Sequence, residues 1–384
     1  MTTRKFSEFV RLTSVILLLL FFVVGAGFTG FYFSPSPTSQ PCERQHVQVV
    51  PQSSSHPQGE SGTDAQTGNE SNGQLVPIDI QRLSPRAGFG LSTPADPVLW
   101  ARRLGASWYL DWTVKPEQNG QIPEHWQMIR LFPGGCIYPS KDYIRWLAFR
   151  YRGQIWIIGN ESDVIWQDDL TPEAYAQLYH DLYSLIKKMD PTASIAIAGI
   201  SQATPLRLAY LDRVLVTYQN LFGEPLPTDW WTVHGFVLQE ARGSWGVDIP
   251  PGFDLEHGEL YTVGDHGRID LFRQQIISFR RWMAVNGYRD KPLALTEFGI
   301  LLSDEYGYSP EVIAQYFQDA VSWLDTVVDD QIGYPEDSNR LVQRWAWFSL
   351  SDNLFPTSDL ANLETDNLTT VGQAYRDYIL DINP

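Results

Sequence analysis

Along most of the chain, short apolar runs rich in β-branched and aromatic residues alternate with longer stretches whose apolar positions recur at helical spacing. Runs that are apolar on both faces mark parallel strands covered by helices. Those at 87–91, 106–112, 127–132, 154–160, 194–199, 229–235, 292–298 and 343–350 predict eight strands. Between them the spacing predicts helices, among them 94–104, 171–189, 268–286 and 309–328. Thr171-Pro-Glu and Ser309-Pro-Glu are N-cap openings, and Gly287 is a C-terminal stop. Strict alternation over about 300 residues implies parallel strands with right-handed crossovers. Eight such units make an α/β fold of the closed (β/α)8 TIM-barrel type. The alternative, an open doubly wound sheet, lacks a GxGxxG or phosphate loop after any early strand.

The alternation does not extend to the N-terminus. Residues 12–33 carry no charge and match the ~20 residues that cross a hydrocarbon core. Arg4, Lys5 and Arg11 precede this run and the next basic residue is Arg44, so the positive-inside rule puts the rest of the chain outside the cytoplasm. A signal peptide cleaved near Val24-Gly25-Ala26 is the rival reading; an uncleaved anchor is preferred because the run continues to Tyr32 and Phe33. Residues 34–83 are rich in Ser, Pro, Gln and Gly, a composition that cannot bury enough surface to offset ordering, although 76–80 can pack on the domain as a first short strand. The expected organisation is a cytoplasmic tail at 1–11, a transmembrane anchor at 12–33, a flexible linker at 34–83 and one barrel domain at 84–384.

Composition narrows the partners. With 28 Lys plus Arg against 45 Asp plus Glu the net charge is -17, which repels a nucleic-acid backbone. Aromatics reach 13% with 14 Trp, side chains that serve a core or a sugar-stacking surface. Cys42 and Cys136 allow at most one bridge and show no metal-binding spacing. His234, His257 and His266 form no HxH or HExxH pattern, so neither metal nor cofactor is expected.

Two strands end in chemistry. The run 155–158 leads into Asn160 and Glu161, and the run from Pro292 ends at Glu297. On a parallel barrel both acids stand on the C-terminal rim, where sites assemble. Two carboxyls across a cleft are what glycoside hydrolysis needs: one protonated to protonate the leaving oxygen, one ionised to attack or stabilise the anomeric carbon. Asn160 is a candidate for binding the hydroxyl next to the reacting carbon. Arg130 is a candidate to ion-pair with Glu297 and keep it ionised, with a surface or loop salt bridge as the alternative. Trp347, or its same-face neighbour Trp345, is a candidate sugar-stacking floor, with a place in the core as the alternative. The long irregular region 239–267 would lie over the same rim and wall or cover the cleft.

Gly159-Asn-Glu161, Thr296-Glu-Phe-Gly299 and Trp345-Ala-Trp-Phe-Ser349 resemble the clan A glycoside hydrolases. Ser107-Trp-Tyr-Leu-Asp-Trp112 further resembles the branch related to fungal alkali-sensitive-linkage glycosyl hydrolases, which act around cell-wall glucans. The resemblance spans about 87–382 and implies a (β/α)8 barrel with Glu161 as acid/base, Glu297 as nucleophile and Asn160 as hydroxyl ligand. It also implies a substrate-side place for His234 near the nucleophile, and for Trp112 in the strand-two motif. Two positions depart from the clan pattern: Ser162 and Asp163 follow the strand-four Glu where proline is usual, and Phe236 stands where a tyrosine hydroxyl often meets the nucleophile. The expectation is a membrane-anchored, retaining glycosidase of β-linked oligo- or polysaccharides. The competing expectation is an inactive barrel that binds envelope polysaccharide.

Overall fold

The computed structural model describes residues 75–382. Eight parallel strands form the centre: β1 (Ser84–Gly90), β2 (Ala106–Leu110), β3 (Gln127–Phe132), β4 (Ile155–Ile158), β5 (Ser194–Ile197), β6 (Trp231–His234), β7 (Leu293–Phe298) and β8 (Arg344–Trp347). They pair as two arcs, β2-β1-β8-β7-β6 and β3-β4-β5. The arcs join where Ala196 and Ile200 bridge to Trp230 and Val233, and where Trp126 N–H donates to the Tyr109 carbonyl at 3.0 Å. The ring is closed, as in a (β/α)8 barrel.

Six of the seven connections between these strands carry a helix, α1 (Pro97–Leu104), α2 (Lys141–Arg150), α3 (Pro172–Met189), α4 (Pro205–Phe222), α5 (Ile269–Val285) and α6 (Pro310–Thr326), and α7 (Thr370–Ile382) follows β8. Thr171, Thr204 and Ser309 accept a backbone N–H three residues on, and the following proline at the first helical position loses no hydrogen bond there. The strict alternation expected from sequence fails once, between β2 and β3. Residues 111–126 contain Pro116 and Pro123, which deny a helix its hydrogen bonds, and Gly120, whose backbone freedom makes a helix costly. Polar contacts cover Tyr109 instead: Lys115 lies 4.8 Å from its ring, Glu117 accepts its hydroxyl at 2.8 Å, and Asp111 holds both Lys115 and His125 at 2.7 Å.

Strand parity separates two cores. Trp108, Leu110, Trp126, Met128, Ile157 and Ala346 fill the lower interior of the ring. A Cβ on Gly88 would stand 2.4 Å from the Trp108 ring, so glycine is what lets that indole cross the barrel floor. Residues of the other parity, such as Phe89, Trp156, Ile197, Trp345 and Trp347, pack outward against the helices. The upper interior is left to polar side chains.

Residues 75–83 form no strand. Ile78 is buried with its N–H bonded to the Arg102 carbonyl, and Ile80–Arg82 make a single 3-10 turn. Among the described residues no helix is long and apolar enough to cross a membrane. The apolar segment 12–33 and the linker up to residue 74 lie outside the described residues. Cys136, at the start of the short hairpin strand Cys136–Tyr138, is disulfide-bonded; Cys42 lies outside the described residues.

Candidate active site

Each of the two acids reaches the mouth through a local break in regular backbone. After Ile158, Gly159 adopts φ +92°, and a Cβ there would meet Asp168 Oδ2 at 2.7 Å. Asp168, wholly buried, accepts the Asn160 N–H at 2.7 Å, and Glu161 N–H donates to the Gly199 carbonyl at 3.1 Å. Glu161 itself has φ +34°, a left-handed conformation that costs about 1 kcal/mol or more for a residue with a Cβ. The neighbouring bonds hold it there.

Glu297 depends on a bulge. Leu293 and Leu295 face outward, so plain alternation would aim Glu297 into the helices. The register of β7 shifts by one residue against β6 and again against β8, and Glu297 turns inward while Phe298 returns to the outer core. Its Oε1 accepts the Trp112 indole N–H at 2.8 Å.

His234 stands between the acids. Its Nδ1 is 3.0 Å from Glu161 Oε1 and its Nε2 is 3.6 Å from Glu297 Oε1, so the carboxyls lie within one imidazole and its two contacts of each other. A Cβ on Gly199 would press on this ring at 2.7 Å, and glycine there leaves it room. Burial pulls the imidazole pKa down, but the acids, Glu297 foremost, outweigh it and raise the value to about 9. Burial likewise raises the Glu297 carboxyl; the His234 charge and the Trp112 N–H oppose it, Glu161 adds repulsion, and the result is about 7. One cation between two buried acids limits the charge that either presents uncompensated.

The other expected residues fall out differently. Asn160 is buried at the mouth and its Oδ1 has no protein partner. Arg130 lies one step above Met128 on the inner face of β3, but it makes no ion pair with Glu297. Its Nε is buried without a partner, and its charge lowers the pKa of both Glu297 and Asp168 from a distance. Trp112, expected on the substrate side, donates to the nucleophile candidate and packs edge-on against Phe348 at 5.7 Å.

Trp347 is not a sugar-stacking floor. It is fully buried in the outer core against Phe298 and Phe317, with its N–H donated to the Ser358 carbonyl at 2.7 Å. Trp345 is buried on the same side, its N–H on Asp325 at 3.1 Å. Odd positions of β8 face the helices, and the aromatic that reaches the mouth is Phe348, beside Phe236 and Phe355. Its parity with inward Ala346 was the available signal.

Phe236, at the position where the resemblance implies a tyrosine, packs edge-on to His234 at 6.1 Å; the hydrogen bond to Glu297 comes from Trp112. Asp163, in the stretch where proline is usual, is wholly buried and accepts Arg207 Nη1 at 2.8 Å and the Ser201 hydroxyl at 2.9 Å. Burial raises its pKa, opposed mainly by Arg207. His266 is a structural residue: Nδ1 lies 2.9 Å from the Val237 carbonyl, Nε2 accepts Leu301 N–H, and burial lowers its pKa to about 4. His257 is exposed. Among the described residues no three His, Cys, Asp or Glu side chains are grouped to hold a metal ion.

No family model matches the chain, and no curated protein does. Solved structures match its shape. One is a GH128 (subgroup II) endo-β-1,3-glucanase from Pseudomonas viridiflava, 19% identical with TM-score 0.51, the match covering 76% of this chain and 97% of that one. Another is a GH128 (subgroup III) curdlan-specific exo-β-1,3-glucanase from Blastomyces gilchristii, in complex with glucose, 18% identical with TM-score 0.50 over the same shares. The chain thus has the (β/α)8 fold that these glycoside hydrolases also have.

Proposed function

We propose that this protein is a glycoside hydrolase acting on β-linked glucans, with β-1,3-glucans as the first substrates to test. The observation that carries the reading is the convergence of Glu161 and Glu297, 136 positions apart in sequence, on opposite nitrogens of His234 at one barrel mouth. The substrate class is supported by the two structural neighbours, both β-1,3-glucanases.

In this reading Glu297 is the nucleophile. Trp112 and His234 fix its orientation, and it attacks the anomeric carbon as the glycosidic bond breaks. Glu161 protonates the leaving oxygen, then removes a proton from the water that cleaves the glycosyl-enzyme, so configuration is retained. Asn160, with its amide oxygen unpartnered, takes the neighbouring sugar hydroxyl. Glu297 acts ionised, so kcat/KM rises with pH through about 7. The uncharged run 12–33 behind Arg4, Lys5 and Arg11 supports a membrane anchor with the barrel outside the cytoplasm.

The test is hydrolysis of laminarin, curdlan and aryl β-glucosides by wild type, Glu161→Gln and Glu297→Gln, with the first-formed anomer read by proton NMR. Activity confined to wild type and a β product are expected. If wild type binds these glucans but turns over nothing, the barrel is a polysaccharide-binding module.

A further inference from the structure

Behind Glu161 lies a buried charge cluster that the chemistry above does not use. Arg207 sits in the first turn of α4, where the helix dipole disfavours a cation. It is nevertheless wholly buried, as are Asp163 and Glu240. Its Nη1 donates to the Asp163 carboxylate at 2.8 Å and to the Asp163 carbonyl, and its Nε donates to Glu240 Oε1 at 3.1 Å. Its Nη2 reaches the carbonyls of Val247 and Asp248 at 2.9 and 2.7 Å.

These acceptors belong to two segments remote in sequence. Asp163 is two residues past Glu161, whereas Glu240, Val247 and Asp248 lie at the start of the long loop 239–267 after β6. Glu240 ties that loop to itself by accepting the Glu259 N–H at 2.8 Å, and to the N-cap of α4 by accepting the Thr204 hydroxyl at 2.6 Å. A Cβ on Gly258 would stand 2.3 Å from Glu240 Oε2, so the chain passes close enough only as glycine. Above the cluster, Trp245 and Val247 of this loop pack with Val164, Phe236 and Leu238, and Phe348 leans on them from the mouth.

The geometry points to Arg207 as a positioning residue that fixes loop 239–267 as a rigid wall of the cleft, in register with Glu161, and so sets which lengths of glucan are accepted. This rests on the glycosidase reading for its substrate, but the loop's rigidity can be read without turnover. Lysine in place of Arg207 keeps the charge but offers one short ammonium where a planar fork serves several acceptors.

The experiment compares full-length wild type, Arg207→Lys and Glu161→Gln in detergent. Limited trypsin digestion reads cleavage after exposed Arg242 within the loop, and hydrolysis reads kcat/KM for laminarihexaose against laminaritriose. Arg207→Lys is expected to be cut at Arg242 roughly tenfold faster or more with the barrel's circular dichroism unchanged, since a loop that loses its anchor opens locally. Its hexaose-to-triose ratio should move by about threefold or more. Glu161→Gln should stay as trypsin-resistant as wild type. If Arg207→Lys does not accumulate folded, Glu240→Gln, nearly the same size and still an acceptor for the arginine, carries the same digestion and ratio test. Unchanged cleavage and an unchanged ratio in the folded variant overturn the inference. Wild type that hydrolyses neither oligosaccharide overturns the glycosidase reading, and the digestion then still decides the wall.

Discussion

The ends of β4 and β7 deliver the same side chain by opposite means. Glu161 stands on a turn whose left-handed residues are held by ties from several directions: Asp168 to Asn160, Gly199 to Glu161, and Arg207 to Asp163. Glu297 remains in the sheet, and one extra residue in β7 changes which face it belongs to. In the proposed reading, the acid assigned proton transfer is thus carried on a loop end, and the acid assigned the attack is carried on a strand paired on both sides.

That contrast is broken most directly at the acids. Glu297→Ala should lose about 10^4-fold or more in kcat, and Glu161→Ala about 10^2- to 10^4-fold. Azide distinguishes them, since an α-glycosyl azide from the first and a β-glycosyl azide from the second are expected. The same anomer from both would cancel the division of roles.

Trp112→Phe probes the β7 side alone. Removing the donor to a charged acceptor costs about 1.5–3 kcal/mol, or roughly 10- to 100-fold in kcat/KM. Because that N–H stabilises the ionised form, the acid limb of the pH profile should move above its wild-type position near 7. A limb that stays in place would detach Trp112 from the ionisation of Glu297.

His234→Gln probes what the two ends share. The imidazole pKa rises from 6.5 to about 9 on folding, so its contribution to stability is complete below pH 6.5 and disappears as pH climbs through about 9. The melting-temperature gap between wild type and His234→Gln should therefore be widest near pH 6 and close by pH 9.5. A gap independent of pH would mean that packing, not charge, is what the histidine supplies. The smallest effect on turnover is expected at Trp347→Phe, which loses its bond to the Ser358 carbonyl and about 1–3 kcal/mol of stability while KM stays unchanged.

The sequence by itself determined the eight-strand alternation, the capped helices and the polar ends of two buried strands. Those signals are local: a run apolar on both faces, a Thr or Ser before proline, and a carboxylate ending an apolar run. It could not tell which aromatics of 345–348 meet the cleft, because neighbouring tryptophans look alike until strand parity is anchored to the ring. Nor could it show that Glu297 faces inward, since alternation from Leu293 and Leu295 argues the reverse and only pairing with β6 and β8 reveals the bulge. The missing β2–β3 helix was foreshadowed by Pro116 and Pro123, but the polar cover over Tyr109 was not. Nothing local along the chain marks Arg207 and Glu240, or the burial of Asp163. Only tertiary structure could bury them together, because a buried cation is tolerable when acceptors from separate segments arrive around it, and no local pattern records that arrival.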